Sequence, residues 1–119
     1  SALEDSPWWM VDLGALFEIH YIQIFNRVDI ALERLSVFRL DVSHDRFFWK
    51  TVIDKKDGDV FGGLDGTPFT WSAQERCVGR YVRLTIPLPK SYLQMDQIEI
   101  YGEPLRLPVL RSASSNTLL

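Results

Sequence analysis

Hydrophobic and polar residues alternate with a period of two along most of this chain, which is typical of strands with one buried face. In the segment 37–42, every second residue from Phe38 onward is hydrophobic. The same alternation occurs in segments 8–13, 20–25, 48–53, 79–86 and 97–101. In 20–25 it places His20 on one face with Ile22 and Ile24. Gly-, Asp- and Pro-rich turns separate these runs, and residues 29–35 have room for one helical turn at most. We therefore predict an all-β sandwich or barrel.

Composition limits the alternatives. The chain has 119 residues, of which 46% are hydrophobic, and this suits one domain with its own core. A net charge of −3 does not indicate the basic surface that is typical of nucleic-acid-binding proteins. No apolar run approaches the roughly 20 residues that span a bilayer, and we find no signal peptide within the chain. We expect the single cysteine, Cys77, to be buried.

The most informative polar cluster follows the strand-like run 21–25. Arg27 and Asp29 come directly after it, and Arg34 lies a few residues further on. A guanidinium presents several N–H donors in a rigid fork, which a carboxylate can hold in place. Such a loop suits recognition of neighbouring hydroxyls or of an anion. It does not suit proton transfer, because arginine stays charged.

Four stretches together resemble the discoidin, or coagulation factor 5/8 type C, superfamily. They are Pro7–Gly14, Asn26–Arg27, Val42–Asp45 before Trp49, and Gly79–Leu84 with Ile98–Gly102. Their order covers residues 1 to about 103. The resemblance implies a jelly-roll β-sandwich of galactose-binding-domain type over 1–103, with 104–119 as a linker or tail.

Within that superfamily the loop is similar to F-type lectins, which bind fucose. Their signature is a His, then Arg-x-Asp, then four residues and a basic residue, and Arg27, Asp29 and Arg34 fit its second half. The resemblance implies that the two arginines donate hydrogen bonds to a fucose- or galactose-type sugar and that Asp29 orients the loop. Glu4 and Asp5 would contribute to the rim of this site. The implied partner is a glycan, at an extracellular or cell-surface location.

The sequence also departs from that family. The signature His would fall just upstream of Ser1, and Ile30 and Ala31 stand where many members have adjacent cysteines. The family's structural calcium uses an acidic residue before the last strand, where this chain has Gln97 preceded by Asp96. A glutamine offers a carbonyl oxygen without charge, so we expect calcium to bind more weakly here.

The tail raises a further alternative. Residues 111–117 faintly resemble the opening strand of these domains, which often carries Ala-Ser-Ser. The tail could start a second tandem domain, or supply the opening strand by permutation or by exchange within a homo-oligomer. The simplest interpretation is a polar linker or tail.

We predict binding without catalysis, because the chain shows no nucleophile elbow, phosphate loop or His-led triad. Two alternatives to sugar binding stay open. One is a discoidin-type domain that binds a protein or phospholipid surface through exposed apolar side chains. The other is a structural accessory module of a larger enzyme. Phe47 and Phe61, near turns, are the apolar contacts to consider, although we expect both to pack in the core.

Overall fold

Six β-strands and one short 3₁₀ helix make up the described part of the chain. A computed structural model describes residues 4–26, 32–62, 66–93 and 97–106. The strands are β1 (Trp8–Phe25), β2 (Phe38–Ser43), β3 (Trp49–Lys55), β4 (Phe69–Ser72), β5 (Val78–Thr85) and β6 (Gln97–Pro104), and the 3₁₀ helix is Leu32–Leu35. This confirms the all-β prediction. Within these ranges, no helix has the length and hydrophobicity needed to cross a bilayer.

The sheet curls back on itself because β1 takes part in both of its halves. The strand order is β3-β2-β5-β1-β4, with β6 also paired to β1, and every pairing is antiparallel. The first half of β1 pairs with β5, from Trp8 opposite Thr85 to Asp12 opposite Tyr81. Its second half lies between β4 and β6. The two halves enclose the core, which confirms the predicted β-sandwich.

The bend in β1 has a local cause. Gly14 adopts a φ of 89°, a left-handed conformation that costs glycine little. Its N–H donates to Oδ1 of Asp12 at 2.8 Å, and the register against β5 shifts between Asp12 and Phe17. Asp12 also accepts two hydrogen bonds from Arg80, at 2.8 and 3.0 Å. The Arg80 hydrogen bonds, together with the Gly14 N–H, lower the pKa of Asp12 to about 2.

The structure corrects one sequence expectation about the strands and adds one strand that was not predicted. A register shift between Ile19 and Tyr21 changes the phase of β1 against β6. As a result Ile19 is buried and His20 is exposed, so the predicted face shared by His20 and Ile22 is wrong. The short strand β4 was not predicted at all, because its four residues lie between two loops and give too few alternations to recognise.

The core is built mainly from alternate residues of β1, β2 and β5. The fully buried members are Ile19, Ile22, Ile24, Leu35, Phe38, Leu40, Val82, Leu84 and Ile86. Phe38 packs edge-on against Phe61 and Phe69, with ring centroids 6.3 and 5.2 Å away, which confirms the expected core position of Phe61. Cys77 is buried as predicted, and this burial raises the pKa of its thiol.

A charged network lies beneath the β2–β5 pairing. Asp41 is 2% exposed and accepts hydrogen bonds from Thr51 Oγ1 at 2.6 Å, Arg39 Nε at 3.2 Å and Arg83 Nη2 at 3.2 Å. Burial alone would raise the pKa of Asp41. The hydrogen bonds from Thr51, Arg83 and Arg39 outweigh burial, so its pKa is lowered and the carboxylate stays charged.

The β2–β3 turn presents two phenylalanines to solvent. Ser43 Oγ accepts the N–H of Arg46 at 2.8 Å, and Oδ1 of Asp45 accepts those of Phe47 and Phe48 at 2.8 and 3.0 Å. These bonds fix the turn so that Phe47 and Phe48 are 83% and 82% exposed. The expectation that Phe47 packs in the core is therefore wrong.

Candidate functional site

The predicted loop leaves the sheet at the end of β1. Asn26, the first residue after β1, is buried, and its side-chain N–H donates to the Phe61 carbonyl oxygen at 2.9 Å. This bond fixes the point at which the loop begins. Arg27 and Asp29 lie outside the described residues, so their predicted roles stay predictions. The 3₁₀ helix Leu32–Leu35 carries the third predicted residue, Arg34.

Arg34 is held by an aromatic ring. Its guanidinium carbon lies 4.2 Å from the centroid of the Tyr92 ring, well within the range of a cation–π contact. Both residues are half-buried, and Leu35 next to Arg34 anchors the short helix in the core. Stacking occupies one face of the guanidinium plane. The N–H groups at its edge keep their directions in that plane.

The segment that carries Glu4 and Asp5 lies beside this contact. Glu4 and Ser91 exchange backbone hydrogen bonds of 3.0 and 2.7 Å. The N–H of Lys90 donates to Oδ1 of Asp5 at 2.8 Å. Since Ser91 directly precedes Tyr92, these bonds bring Glu4 and Asp5 to the same end of the sandwich as Arg34. Their predicted role at the rim of a binding site stays a prediction for both.

A cleft opens between residues 34–37 and residues 86–92. It has a volume of about 210 Å³ and is lined by Arg34, Ser36, Val37, Ile86, Leu88, Lys90, Ser91 and Tyr92. This is smaller than the roughly 300–1,000 Å³ typical of drug-sized ligands. The cleft combines an apolar floor with cationic donors at its wall. Such a lining suits one small hydroxylated unit better than an extended apolar molecule.

A larger cavity of about 360 Å³ lies at the other end of the sandwich, beside the Phe47–Phe48 turn. Its lining includes Phe48, Trp49 and Val78 and is mainly apolar. The antiparallel register explains the separation, because β2 begins near Arg34 and ends at this turn. We assign the candidate site to the smaller cleft, since directional hydroxyl recognition needs the fixed donors found there.

The predicted calcium ligands are Asp96 and Gln97. Asp96 lies outside the described residues. The side-chain N–H of Gln97 donates to Oε2 of Glu99 at 2.7 Å, which leaves its carbonyl oxygen as a further acceptor. Among the described residues, no three His, Cys, Asp or Glu side chains gather to hold a metal ion. Calcium binding at Asp96 and Gln97 stays a prediction.

Sequence reasoning missed two residues of the cleft, Tyr92 and Lys90. Both lie in the segment between β5 and β6, which has no regular alternation and shows no recognisable motif. Their position became clear only from the pairing of this segment with residues 4–7. The Pro-Leu-Pro-Lys run at 87–90 was a signal for a turn, but it did not indicate which loop the turn would meet.

The geometry defines a β-sandwich module with an arginine-bearing loop cleft at one end. Residues 1–98 match the F5/8 type C domain family. Since this match covers most of the chain, the chain belongs to the F5/8 type C domain family. The resemblance to this superfamily inferred from four short stretches is thereby confirmed.

Similar proteins include fish lectins. Fucolectin-1 of Anguilla japonica is 33% identical over 97 residues, which make up 80% of this chain and 52% of the eel protein. The pentraxin fusion protein of Xenopus laevis is 25% identical over 117 residues, 92% of this chain and 26% of that protein. The crystal structure of a fucolectin from Morone saxatilis superposes with a TM-score of 0.75 at 26% identity, over 86% of this chain and 34% of that chain. This chain thus spans about half the length of the eel relative.

Proposed function

We propose that this domain binds carbohydrate without transforming it and that its ligands are fucose- or galactose-type sugars. The observation that carries the proposal is the Arg34 guanidinium, held over Tyr92 at the wall of a small cleft. Arg27 is proposed as the second donor and Asp29 as the residue that orients the loop. The similarity to fucolectins supports fucose as the first ligand to examine.

The chemistry of the cleft suits sugar hydroxyls. A neutral sugar presents adjacent hydroxyl groups in fixed directions, and a planar guanidinium can donate to two of them at once. The Tyr92 ring limits rotation of the Arg34 plane, so less conformational freedom is lost on binding. The apolar side chains that line the cleft, such as Leu88, can pack against the less polar side of the sugar ring. Arginine stays charged throughout, so it binds rather than exchanges protons.

The biological setting follows as part of the same proposal. Glycans that carry such sugars are presented at cell surfaces and in extracellular fluids, where we place this domain. A shallow site with few donors binds weakly, so we expect avidity from tandem domains or a homo-oligomer. A structural calcium ion near Asp96 and Gln97 remains a secondary element of the proposal.

A glycan array with the full chain and with Arg34→Ala tests the proposal. The wild type should retain fucosylated or galactosylated glycans, and Arg34→Ala should lose most of that signal. The matched control is Arg76→Ala, because Arg76 is an exposed arginine at the opposite end that pairs with Glu18 at 3.5 Å. An array without hits, or unchanged binding by Arg34→Ala, would reject the proposal.

One observation favours a second candidate function, attachment to an anionic phospholipid surface. Phe47 and Phe48 protrude from a hydrogen-bonded turn, and Arg46 and Lys50 flank them with positive charge. Exposed aromatic rings beside cations suit the interface of a bilayer that contains anionic lipid. Because the turn lies opposite the Arg34 cleft, both functions could operate in one molecule.

Vesicle co-sedimentation separates this candidate from the first. Wild type should sediment with vesicles that contain about a quarter phosphatidylserine, and a Phe47→Ser/Phe48→Ser variant should stay in solution at the modest salt where such attraction is strong. Vesicles of phosphatidylcholine alone are the control. Equal sedimentation of wild type and variant would reject membrane attachment and leave a protein contact as the use of this turn.

A further inference from the structure

Two cations share the small cleft. Among the described residues that line it, Arg34 and Lys90 are the ones with charged side chains, and both are positive. Glu4 and Asp5 lie nearby, but neither is part of the lining. The cleft therefore has a net positive wall in a chain whose total charge is −3.

The backbone of Lys90 is fixed in an unusual conformation. Its φ is 48°, in the left-handed region that non-glycine residues seldom occupy. The Asp5 carboxylate accepts its N–H at 2.8 Å, and Ser91 beside it pairs with Glu4. These contacts hold Lys90 at the cleft, where a shift of the backbone into a relaxed conformation would turn its side chain elsewhere.

The ammonium group of Lys90 is available to a ligand. In the part of the chain that the structure describes, it forms no ion pair, whereas the ammonium groups of Lys55 and Lys56 each meet an aspartate. The nearby Asp5 carboxylate is engaged by the Lys90 backbone N–H rather than by its side chain. An anionic group on a ligand bound beside Arg34 would thus meet an unpaired cation.

We infer that the cleft prefers glycans with an anionic substituent, a sulfate ester or a carboxylate, next to the sugar that Arg34 holds, and that Lys90 determines this preference. The inference rests on the proposed sugar-binding function and narrows its ligand class. Lys90 is an exposed cation, so we expect about a fivefold gain in affinity from the charge at low salt. This gain should shrink towards zero as salt screens the pair.

Titration calorimetry with matched ligands tests the inference. The probes are one fucosylated trisaccharide, each of its monosulfated isomers and its counterpart with one carboxylated sugar. The proteins are the full chain, Lys90→Gln and the control Arg76→Gln, which removes one positive charge at the opposite end of the sandwich. Wild type and Arg76→Gln should bind at least one anionic ligand about fivefold more tightly than the parent. Lys90→Gln should bind parent and anionic ligands equally.

The outcomes separate this inference from the proposed function. If the parent trisaccharide binds and no anionic counterpart binds more tightly, the charge preference is wrong and sugar binding stands. A preference that persists in Lys90→Gln would also overturn the role of Lys90. If neither parent nor anionic ligands bind to wild type, the proposed function fails and the inference fails with it. Preference for the sulfated or the carboxylated probe identifies which anion the cleft selects.

Discussion

Replacing Tyr92 with leucine removes the aromatic ring beneath Arg34 but keeps a hydrophobic side chain at the same place. In the native structure the guanidinium carbon lies 4.2 Å from the ring centroid, inside the roughly 6 Å limit for a cation–π contact. Both side chains are half-buried. The contact should therefore contribute about 1 kcal/mol, between the values for exposed and desolvated pairs.

The loss of this contact can be expressed as a change in affinity for a sugar. If the ring serves to hold the guanidinium in its binding orientation, the loss of about 1 kcal/mol raises the Kd for a monosaccharide about fivefold. The free energy of unfolding should fall by about 1 kcal/mol as well, because the contact is already present in the free protein, and this loss is too small to unfold the domain. Tyr92→Phe keeps the ring and should bind like wild type.

Calorimetric titration with fucose, together with urea denaturation of each variant, measures both quantities. The matched control is Tyr101→Leu, because Tyr101 stacks on Tyr21 with centroids 4.4 Å apart, away from the cleft. Unchanged affinity in folded Tyr92→Leu would refute the idea that the ring positions Arg34. An equal loss in Tyr92→Phe would instead show that the hydroxyl group is the important part.

Three further predictions concern the scaffold. Asp41→Asn removes the buried charge that two arginines share, and urea denaturation should show a loss of about 3 kcal/mol; a change below about 0.5 kcal/mol would contradict the network's importance. Because the pKa of Asp12 is lowered to about 2, its stabilising effect is complete above about pH 4 and is lost as pH falls towards 2. Thermal unfolding of Asp12→Asn should accordingly depend less on pH over that interval than in wild type, and identical profiles would contradict this. Gly102→Ala places a Cβ against backbone atoms of the facing β1 strand. We therefore expect its free energy of unfolding, measured by urea denaturation, to fall by about 1–3 kcal/mol. A variant as stable as wild type would show that β6 lies further from β1.

The alternating strands could be predicted from sequence because one face of each strand is hydrophobic and the other is mainly polar. Buried hydrophobic residues recur at every second position, at Phe38, Leu40 and Val42 in β2 and at Val82 and Leu84 in β5, and each strand is long enough for the pattern to stand out. The exposure of His20 could not be predicted in this way. It depends on a register shift in β1, which is set by pairing with β6 rather than by the local sequence.

The candidate site was predictable only in part. Arg34 was recognisable because the loop carries a motif, and its place at the end of β1 follows from chain order. Tyr92 could not be predicted as its partner, because the contact joins two loops that are distant in sequence. The exposure of Phe47 was missed for a related reason. The side-chain bonds of Ser43 and Asp45 decide the shape of that turn, and hydrophobicity alone suggests burial.

A crystal structure of the full chain with fucose tests the central claim most directly. We predict one sugar in the cleft lined by the stacked pair of Arg34 and Tyr92, with at least one of its oxygen atoms about 2.7–3.2 Å from a guanidinium nitrogen of Arg34. Fucose bound at another place, such as the cavity beside Phe48, would contradict the account. So would a cleft that stays free of sugar at saturating fucose while Arg34 keeps its position over Tyr92.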